Sequence, residues 1–388
     1  MARVAIVRCE SYDQPVVDRA VLEAVTLAAG PGWPGLLKEP ILVKPNVLSP
    51  KPPESGVCTH PAVLKAVLGM LAGAGLTGAT VGDSSGGSGS QPTVTDRALK
   101  ASGLAAAARE TGFDVSSFDH EEAVGVPNPR GPGHPVVTLA RRAVTAGAII
   151  SVPKFKTHAL TTLTGAVKNL FGAVPGAAKR EYHRRNPSVD SFAEALLDIL
   201  AALRPALHVV DAVVAMEGEG PGGGTLRNLG LVLAGTDAVA VDAVLAAIVG
   251  LEPADVPTTR LAAQRGLGTP DLADISIVGV PLTEARVDRF KLPRFMGLAQ
   301  KAPPALTRAA LSFVVTRPSF DPARCDRCST CIRNCPVEAL TMGPRTPRLD
   351  DGRCIACFCC HELCPSQAVR MRWRNPVTRL VIGGRRNG

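Results

Sequence analysis

"GAIISVPKFKTHALTTLTGAVKNLFGAVPGAAKR" runs from Gly147 to Arg180. Its first eight residues are mostly apolar and read as a strand. From Leu160 onward, Leu163, Val167, Leu170, Phe171 and Val174 recur at helical spacing, which predicts a helix over 161–173 with one apolar stripe. Strand followed by helix is the unit of an α/β domain, and the same alternation extends to both sides. Strands are expected at "RVAIVRC" (3–9), "PILVKPN" (40–46), "ATVGDSS" (79–85), "LHVVDAVVAM" (207–216), "LGLVLAGT" (229–236) and "ISIVGV" (275–280). Helices are expected near 61–74, 94–109, 190–203 and 237–250. Residues 1–285 are therefore expected to form an α/β domain on a largely parallel sheet. The Pro- and Gly-rich stretches 120–137 and 218–225 read as loops.

Nine of the eleven cysteines lie in the last third of the chain. "CDRCSTCIRNCP" (325–336) and "CIACFCCHELCP" (354–365) both match C-x2-C-x2-C-x3-C-P. Three closely spaced thiolates of such a run reach three irons of one cubane, and the fourth reaches its neighbour. Cys325, Cys328, Cys331 and Cys364 are thus expected to hold one 4Fe-4S cluster, and Cys354, Cys357, Cys360 and Cys335 the other. The halves form an internal repeat at an offset of 29, which maps Cys335 on Cys364 and Pro336 on Pro365. In this register Cys359 falls on Thr330, outside the ligand set. Zinc seldom uses eight cysteines in this doubled pattern. Cys9 and Cys58 read as packing residues. Residues 318–372 are expected to be a small α+β dicluster ferredoxin-like domain, 286–317 a helical connector, and 373–388 a basic tail.

Of the 388 residues, 46% are hydrophobic and 20% charged, with a net charge of +9. Residues 280–388 hold nineteen Lys or Arg against eight Asp or Glu, so the excess sits beside the cysteines. Cluster thiolates would offset part of it, and no reading helix or RNA motif accompanies it, so nucleic acid is not the expected partner. No apolar run is long enough to span a membrane. The N-terminus lacks a secretion signal's apolar region, and a cytoplasmic location is the expectation.

The opening segment has a second peculiarity. Between Ser151 and Arg180 it has no acidic residue, yet carries Lys154, Lys156, Lys168 and Lys179, four of the chain's eleven lysines. The face opposite the apolar stripe holds Thr161, Thr164, Gly165, Lys168, Asn169 and Gly172. Small residues with one unpaired lysine describe either a face packed closely on another element or an anion site. Lysine is a compact charge whose pKa falls on burial, so it can donate a proton. His158 and His183 bracket the lysines as groups that ordinarily titrate near neutrality.

Other segments can converge there. Lys44 and Asn46 end a strand, where α/β sheets place ligands. "GDSSGGSGS" (82–90), with Asp83 and Ser84, either presents backbone N–H groups to an anion or is a flexible linker. Glu217 begins a Gly-rich loop and either pairs with a lysine, binds a metal or is solvated. Asp237 reads as the N-cap of the helix that follows. Asp242, inside that helix, needs a partner if it is buried.

The series "KPN" (44–46), "THP" (59–61), "GDS" (82–84), "PKFKTH" (153–158), "TGAVKNLFG" (164–172), Lys179, "YH" (182–183), "MEGEGP" (216–221) and "GTDAVAVD" (235–242) resembles the family catalogued as domain of unknown function 362. Over 320–372 the chain resembles the dicluster ferredoxins. The first resemblance implies an α/β domain coupled to iron–sulfur clusters; the second implies electron transfer.

Together these readings lead to an expected iron–sulfur oxidoreductase. Electrons from a ferredoxin-like or other low-potential donor would reduce an anionic small molecule. Lys168, His158 and His183 are the expected catalytic groups. Lys44, Asn46, Asp83, Ser84, Lys154, Lys156, Asn169, Lys179 and Glu217 are the expected substrate-binding groups. No flavin or nicotinamide fingerprint is visible, which leaves open a flavin bound through another motif. The alternative is a carrier or maturation subunit that docks an acidic redox partner.

Overall fold

The computed structural model describes residues 1–87, 93–128, 131, 133–176, 178–293 and 316–373. Its strands are β1 (Ala2–Arg8), β2 (Ile41–Pro45), β3 (Ala79–Asp83), β4 (Asp114–Ser117), β5 (Ala123–Pro127), β6 (Val136–Ala140), β7 (Ala148–Val152) and β8 (Lys154–His158). They continue with β9 (Thr162–Thr164), β10 (Leu207–Glu217), β11 (Thr225–Gly235), β12 (Ile275–Gly279), β13 (Thr316–Phe320), β14 (Leu340–Met342), β15 (Pro347–Leu349) and β16 (Val369–Trp373). The seven segments expected from apolar runs all lie in one ten-stranded sheet of order β12-β1-β11-β10-β7-β2-β3-β4, with β8 against β10 and β9. The sheet is mostly parallel; β11 runs antiparallel to β1 and β10, and β9 to β8.

Alternate residues of the strands feed two cores. Val4, Ile6 and Leu42 face helices Val189–Leu203 and Ala238–Ile248, whereas Ala5, Val7, Ile41 and Val43 face helices Gln14–Ala29 and Pro61–Gly73. Both faces are covered, as a parallel sheet requires. Parallel β2, β3 and β7 therefore point their C-terminal ends to one edge, where ligands of such sheets gather.

Two expected helices are corrected. The one over 94–109 breaks at Gly103, whose φ of 74° ends the run, into Val94–Ala101 and Leu104–Glu110. The one over 161–173 is β9, a single turn Ala166–Asn169 and a 3-10 turn Leu170–Ala173. Thr162 has φ 67°, which no helix accommodates. The turn starts at Gly165 because Asp242 caps it, accepting from Ala166 N at 2.6 Å and Val167 N at 3.1 Å. A Cβ on Gly165 would lie 2.1 Å from that carboxylate. All members of the apolar stripe are buried, so their spacing reported burial without helical continuity.

Asp237 does cap its helix, accepting from Val239 N and Ala240 N. The stretch 120–137, expected as loop, contains the β5–β6 hairpin. Residues 286–293 are not helical and fold back, with Phe290 stacked on Phe155 at 5.9 Å. Residues 294–315 of the expected helical connector and the tail from 374 fall outside the described residues, whereas Thr316 and Arg317, expected in the connector, already belong to strand β13.

The C-terminal module pairs β13 with β16 and β14 with β15. The sequence repeat reappears in its backbone. Positive φ recurs at Arg327 and Ala356, Ser329 and Phe358, and Glu338 and Gln367, each pair 29 residues apart.

Candidate functional site

The eight expected ligand cysteines divide between two small cavities. Cys325, Cys328, Cys331 and Cys364 line one; Cys335, Cys354, Cys357 and Cys360 line the other. The last cysteine of each run has crossed to its partner's cavity. Backbone N–H groups of Ala339 and Ala368 donate to Cys335 Sγ and Cys364 Sγ, both at 3.2 Å. Such bonds stabilise thiolate ligands and tune the group they hold. Among the described residues, no three His, Cys, Asp or Glu side chains converge on a single metal-ion position. Each cavity is thus lined by four thiols, the number and chemistry of donors that a 4Fe-4S cubane takes. Cys9 and Cys58 are buried elsewhere, with their thiols pushed up by burial, Cys9 to about 11.

A cleft of about 70 Å³ lies where the C-terminal edge of the sheet meets this module. From the ends of β2 and β3 and the residues just after them come Asn46, Asp83 and Ser84; from β8, Lys156 and His158; from β9, Thr164; from the turns after it, Lys168, Asn169 and Gly172; from helix Ala178–Arg185, Lys179, Arg180 and His183. The module supplies Asn334, Cys359, Glu362 and Leu363. Glycines allow this approach. A Cβ on Gly86 would stand 3.1 Å from Leu363 Cδ2, and one on Gly222 2.9 Å from Glu362 O. Lys51 Nζ donates to Pro365 O at 2.9 Å, and Arg180 to Arg333 O at 3.2 Å.

Among the described residues the cleft's lysines make no close ion pair with a carboxylate, although Glu362 attracts Lys156 and Lys168, and Asp83 attracts Lys179, at longer range. Lys156 Nζ donates to Asn46 Oδ1 and Val57 O, both at 2.7 Å. Lys179 Nζ donates to the carbonyls of Ser84 and Ser85. Lys168 has no hydrogen-bond or ion-pair partner among the described residues; its Nζ stands 4.9 Å from the centre of the Phe171 ring and 5.5 Å from that of Phe192. Burial lowers all three lysines, Lys156 and Lys179 to about 7. Five polar atoms of cleft-lining residues, His158 Nε2, Thr164 Oγ1, Asn169 Oδ1, His183 Nδ1 and Glu362 Oε1, are buried without a hydrogen bond among the described residues. Buried polar groups in folded proteins are usually paired with protein, water or an ion, and the gathering of these atoms makes the cleft the candidate site.

His158 has a defined tautomer. Its Nδ1 accepts from Leu160 N at 3.0 Å and Thr161 N at 3.2 Å, which leaves the proton on Nε2. That Nε2 stands 3.2 Å from Glu362 Oε1 without hydrogen-bond alignment. Burial, reinforced by Lys168, holds His158 well below the usual histidine range and His183 at about 3. The expectation that these two titrate near neutrality is therefore corrected. Burial favours the neutral form of both, and the same burial lowers Lys156, Lys168 and Lys179.

Four further expectations change. Lys154 is not in the cleft: its ammonium is held by Asp211 Oδ2 at 2.9 Å and by the Tyr12 hydroxyl. Asp211 also accepts from Tyr12 Oη and His60 N, each at 2.9 Å, so the charge is spent inside the fold. Glu217 is likewise engaged, by Lys291 N at 3.1 Å and Lys291 Nζ at 3.5 Å. The amides of 84–86 are not free for an anion; Gly172 O, Thr95 Oγ1 and Leu48 O take them. Residues 88–90 of that loop lie outside the described residues. Lys44 reaches the cleft only through Asp83, to which it donates at 3.1 Å.

Sequence reasoning missed Arg180, Cys359 and Glu362. The one local signal was the surplus thiol itself, sitting inside a ligand run.

Fold and site thus define an α/β protein joined to a 4Fe-4S ferredoxin module. The profile of the domain of unknown function DUF362 matches residues 41–247, and that of a 4Fe-4S dicluster domain matches residues 317–365. The chain belongs to the DUF362 family. The thylakoid-associated protein sll1697 of Synechocystis sp. is 31% identical over 309 residues, covering 76% of this chain and 88% of that protein. The lactate racemase apoprotein of Thermoanaerobacterium thermosaccharolyticum aligns over 61% of this chain and 54% of its own, at 11% identity and TM-score 0.39. A Thermotoga maritima protein aligns over 60% and 57%, at 13% identity and TM-score 0.35. The chain spans little more than half of each of these two structures. Among the described residues no helix is long and apolar enough to cross a membrane.

Proposed function

We propose that this chain is an iron–sulfur oxidoreductase that reduces a small anionic molecule in the cleft, using two 4Fe-4S clusters. The observation that carries the reading is a cleft lined by Lys156, Lys168, Lys179 and Arg180, none of them paired with a carboxylate there, abutting a thiol-lined cavity. When bound, the clusters supply single electrons. Lys156 and Lys179 hold a carboxylate or phosphate of the substrate. His158, through its Nε2–H, and Asn169, through Oδ1, orient the remaining polar groups. Lys168, lowered by burial and without a hydrogen-bond or ion-pair partner among the described residues, gives up a proton as the substrate gains charge, and solvent recharges it. Addition of two electrons and two protons across the reducible bond balances the reaction, with a low-potential one-electron carrier as the reductant.

The test is anaerobic purification followed by iron and sulfide counting and mass spectrometry of any released small molecule. About eight irons per chain and a released anion that reoxidises the reduced protein are expected. A released molecule that is neutral or cationic would overturn the reading. A second reading, a carrier without turnover, draws on the exposed Cys328 with exposed Arg324, Arg327 and Arg333 around it, a surface suited to an acidic partner. A tight complex with such a partner, with no reoxidation by small anions, would favour it.

A further inference from the structure

The two thiol sets are not equivalent in place. Cys359 lines both the cleft and the cavity of Cys335, Cys354, Cys357 and Cys360, so this one side chain is shared by both spaces. Phe358, beside it, is buried in the core of the α/β domain. No residue of the other cavity lines the cleft, and that cavity includes the exposed Cys328.

We infer that the two ligand sets have fixed, opposite roles. Cys335, Cys354, Cys357 and Cys360 form the set from which electrons leave for the cleft, with Cys359 as the partition they cross. Cys325, Cys328, Cys331 and Cys364 form the outward set that receives electrons from the donor. The inference rests on the proposed reading for its destination, but its geometry concerns only the chain. Electron tunnelling weakens steeply with distance, so the set sharing a wall with the cleft dominates. The surplus cysteine, which the repeat leaves without a ligand role, thereby gains one: a small polarizable side chain at the boundary, where Thr330 occupies the matching position of the other half.

The charges around each cavity make the assignment testable without any substrate. Lys168 and Cys359 both line the cleft, close enough for their charges to interact, and Arg327 lines the outward cavity. Reductive titration of the holoprotein, followed by electron paramagnetic resonance, reads two potentials. Cys357→Ser and Cys328→Ser identify which signal belongs to which set, through an altered signal or through loss of half the iron. Lys168→Gln should make the Cys357-set potential more negative and leave the other in place. Lys168→Glu, which puts a carboxylate there whatever the protonation of the lysine, should do so more strongly. Arg327→Gln should move only the Cys328-set potential. If the Lys168 variants shift the Cys328 set, or both sets equally, the assignment is wrong. Because no anion is added, that failure is distinct from failure of the substrate reading, which the released-molecule experiment decides.

Discussion

The cysteine module and the lysine segment both announce themselves by composition, but their meanings are carried differently. In the module, ligand chemistry is written into chain spacing. The first three cysteines of each run line one cavity, positive backbone φ recurs at a 29-residue offset, and the fourth cysteine lines the other run's cavity. In the lysine segment, spacing says almost nothing about role. Lys154 and Lys156 are two residues apart on one strand; Asp211 neutralises the first, and only neutral oxygens meet the second. Their partners come from residues far along the chain. A metal-ligand loop is a local object, whereas an electrostatic site is a tertiary one.

The largest effect that can break this contrast is loss of a ligand. Cys354→Ser or Cys331→Ser should remove or alter one cluster, so that iron falls from about eight towards about four per chain. Cys359→Ser should leave the count unchanged. A loss of iron in the Cys359 variant would show that the 29-residue register is misassigned.

Next comes the difference between two lysines of the same segment. Lys154→Met leaves the Asp211 carboxylate buried without its cation and should cost about 3–5 kcal/mol in denaturant unfolding. Lys168→Met breaks no ion pair in the fold and should unfold with the wild type to within about 0.5 kcal/mol. Equal destabilisation by both would mean that Lys168 is structural. A smaller effect is expected at Gly172, where a Cβ would lie 1.9 Å from Asp83 Oδ1 and 2.5 Å from Lys44 Nζ. Gly172→Ala should therefore cost about 1–3 kcal/mol, read in the same melts.

How much of this was legible follows the same division. The main strands could be read because parallel strands buried on both faces are short apolar runs. The helix over 161–173 could not, because Asp242, some eighty residues on, decides where its first turn begins. Lys168 and Asn169 stood out against an otherwise small face, and both do line the cleft. Glu362 and Cys359 did not, since only the docking of the module against Gly86 and Gly222 brings them there. His158 and His183 read as neutral-pH titrators until burial is known; no local pattern reports burial of a histidine among lysines.

The gentlest probe is pH. Lys156 and Lys179, lowered by burial to about 7, are charged below that pH and neutral above it. Binding of sulfate, an anion whose charge is constant across this range, should be tightest below pH 7 and weaken as pH rises through it. Calorimetry in buffers of different ionisation enthalpy should show proton uptake on binding near neutrality. In the unliganded protein the same lysines act oppositely. Their unfolded pKa is about 10.4, so the unfolded chain holds more protons and their contribution to stability rises between about pH 7 and 10. Affinity that is flat across pH 6–9 would remove these two lysines from the anion site.

The central claim is that the cleft joins the electron supply to an anion through Lys168. Stopped-flow reoxidation of the chemically reduced holoprotein by the molecule released on purification tests it most directly, with wild type, Lys168→Met and Lys168→Arg compared. Cluster absorbance should recover readily in the wild type and about a hundredfold or more slowly in Lys168→Met, with little rescue by arginine, which keeps the charge but does not give up the proton. Recovery at the wild-type rate in Lys168→Met would contradict the account.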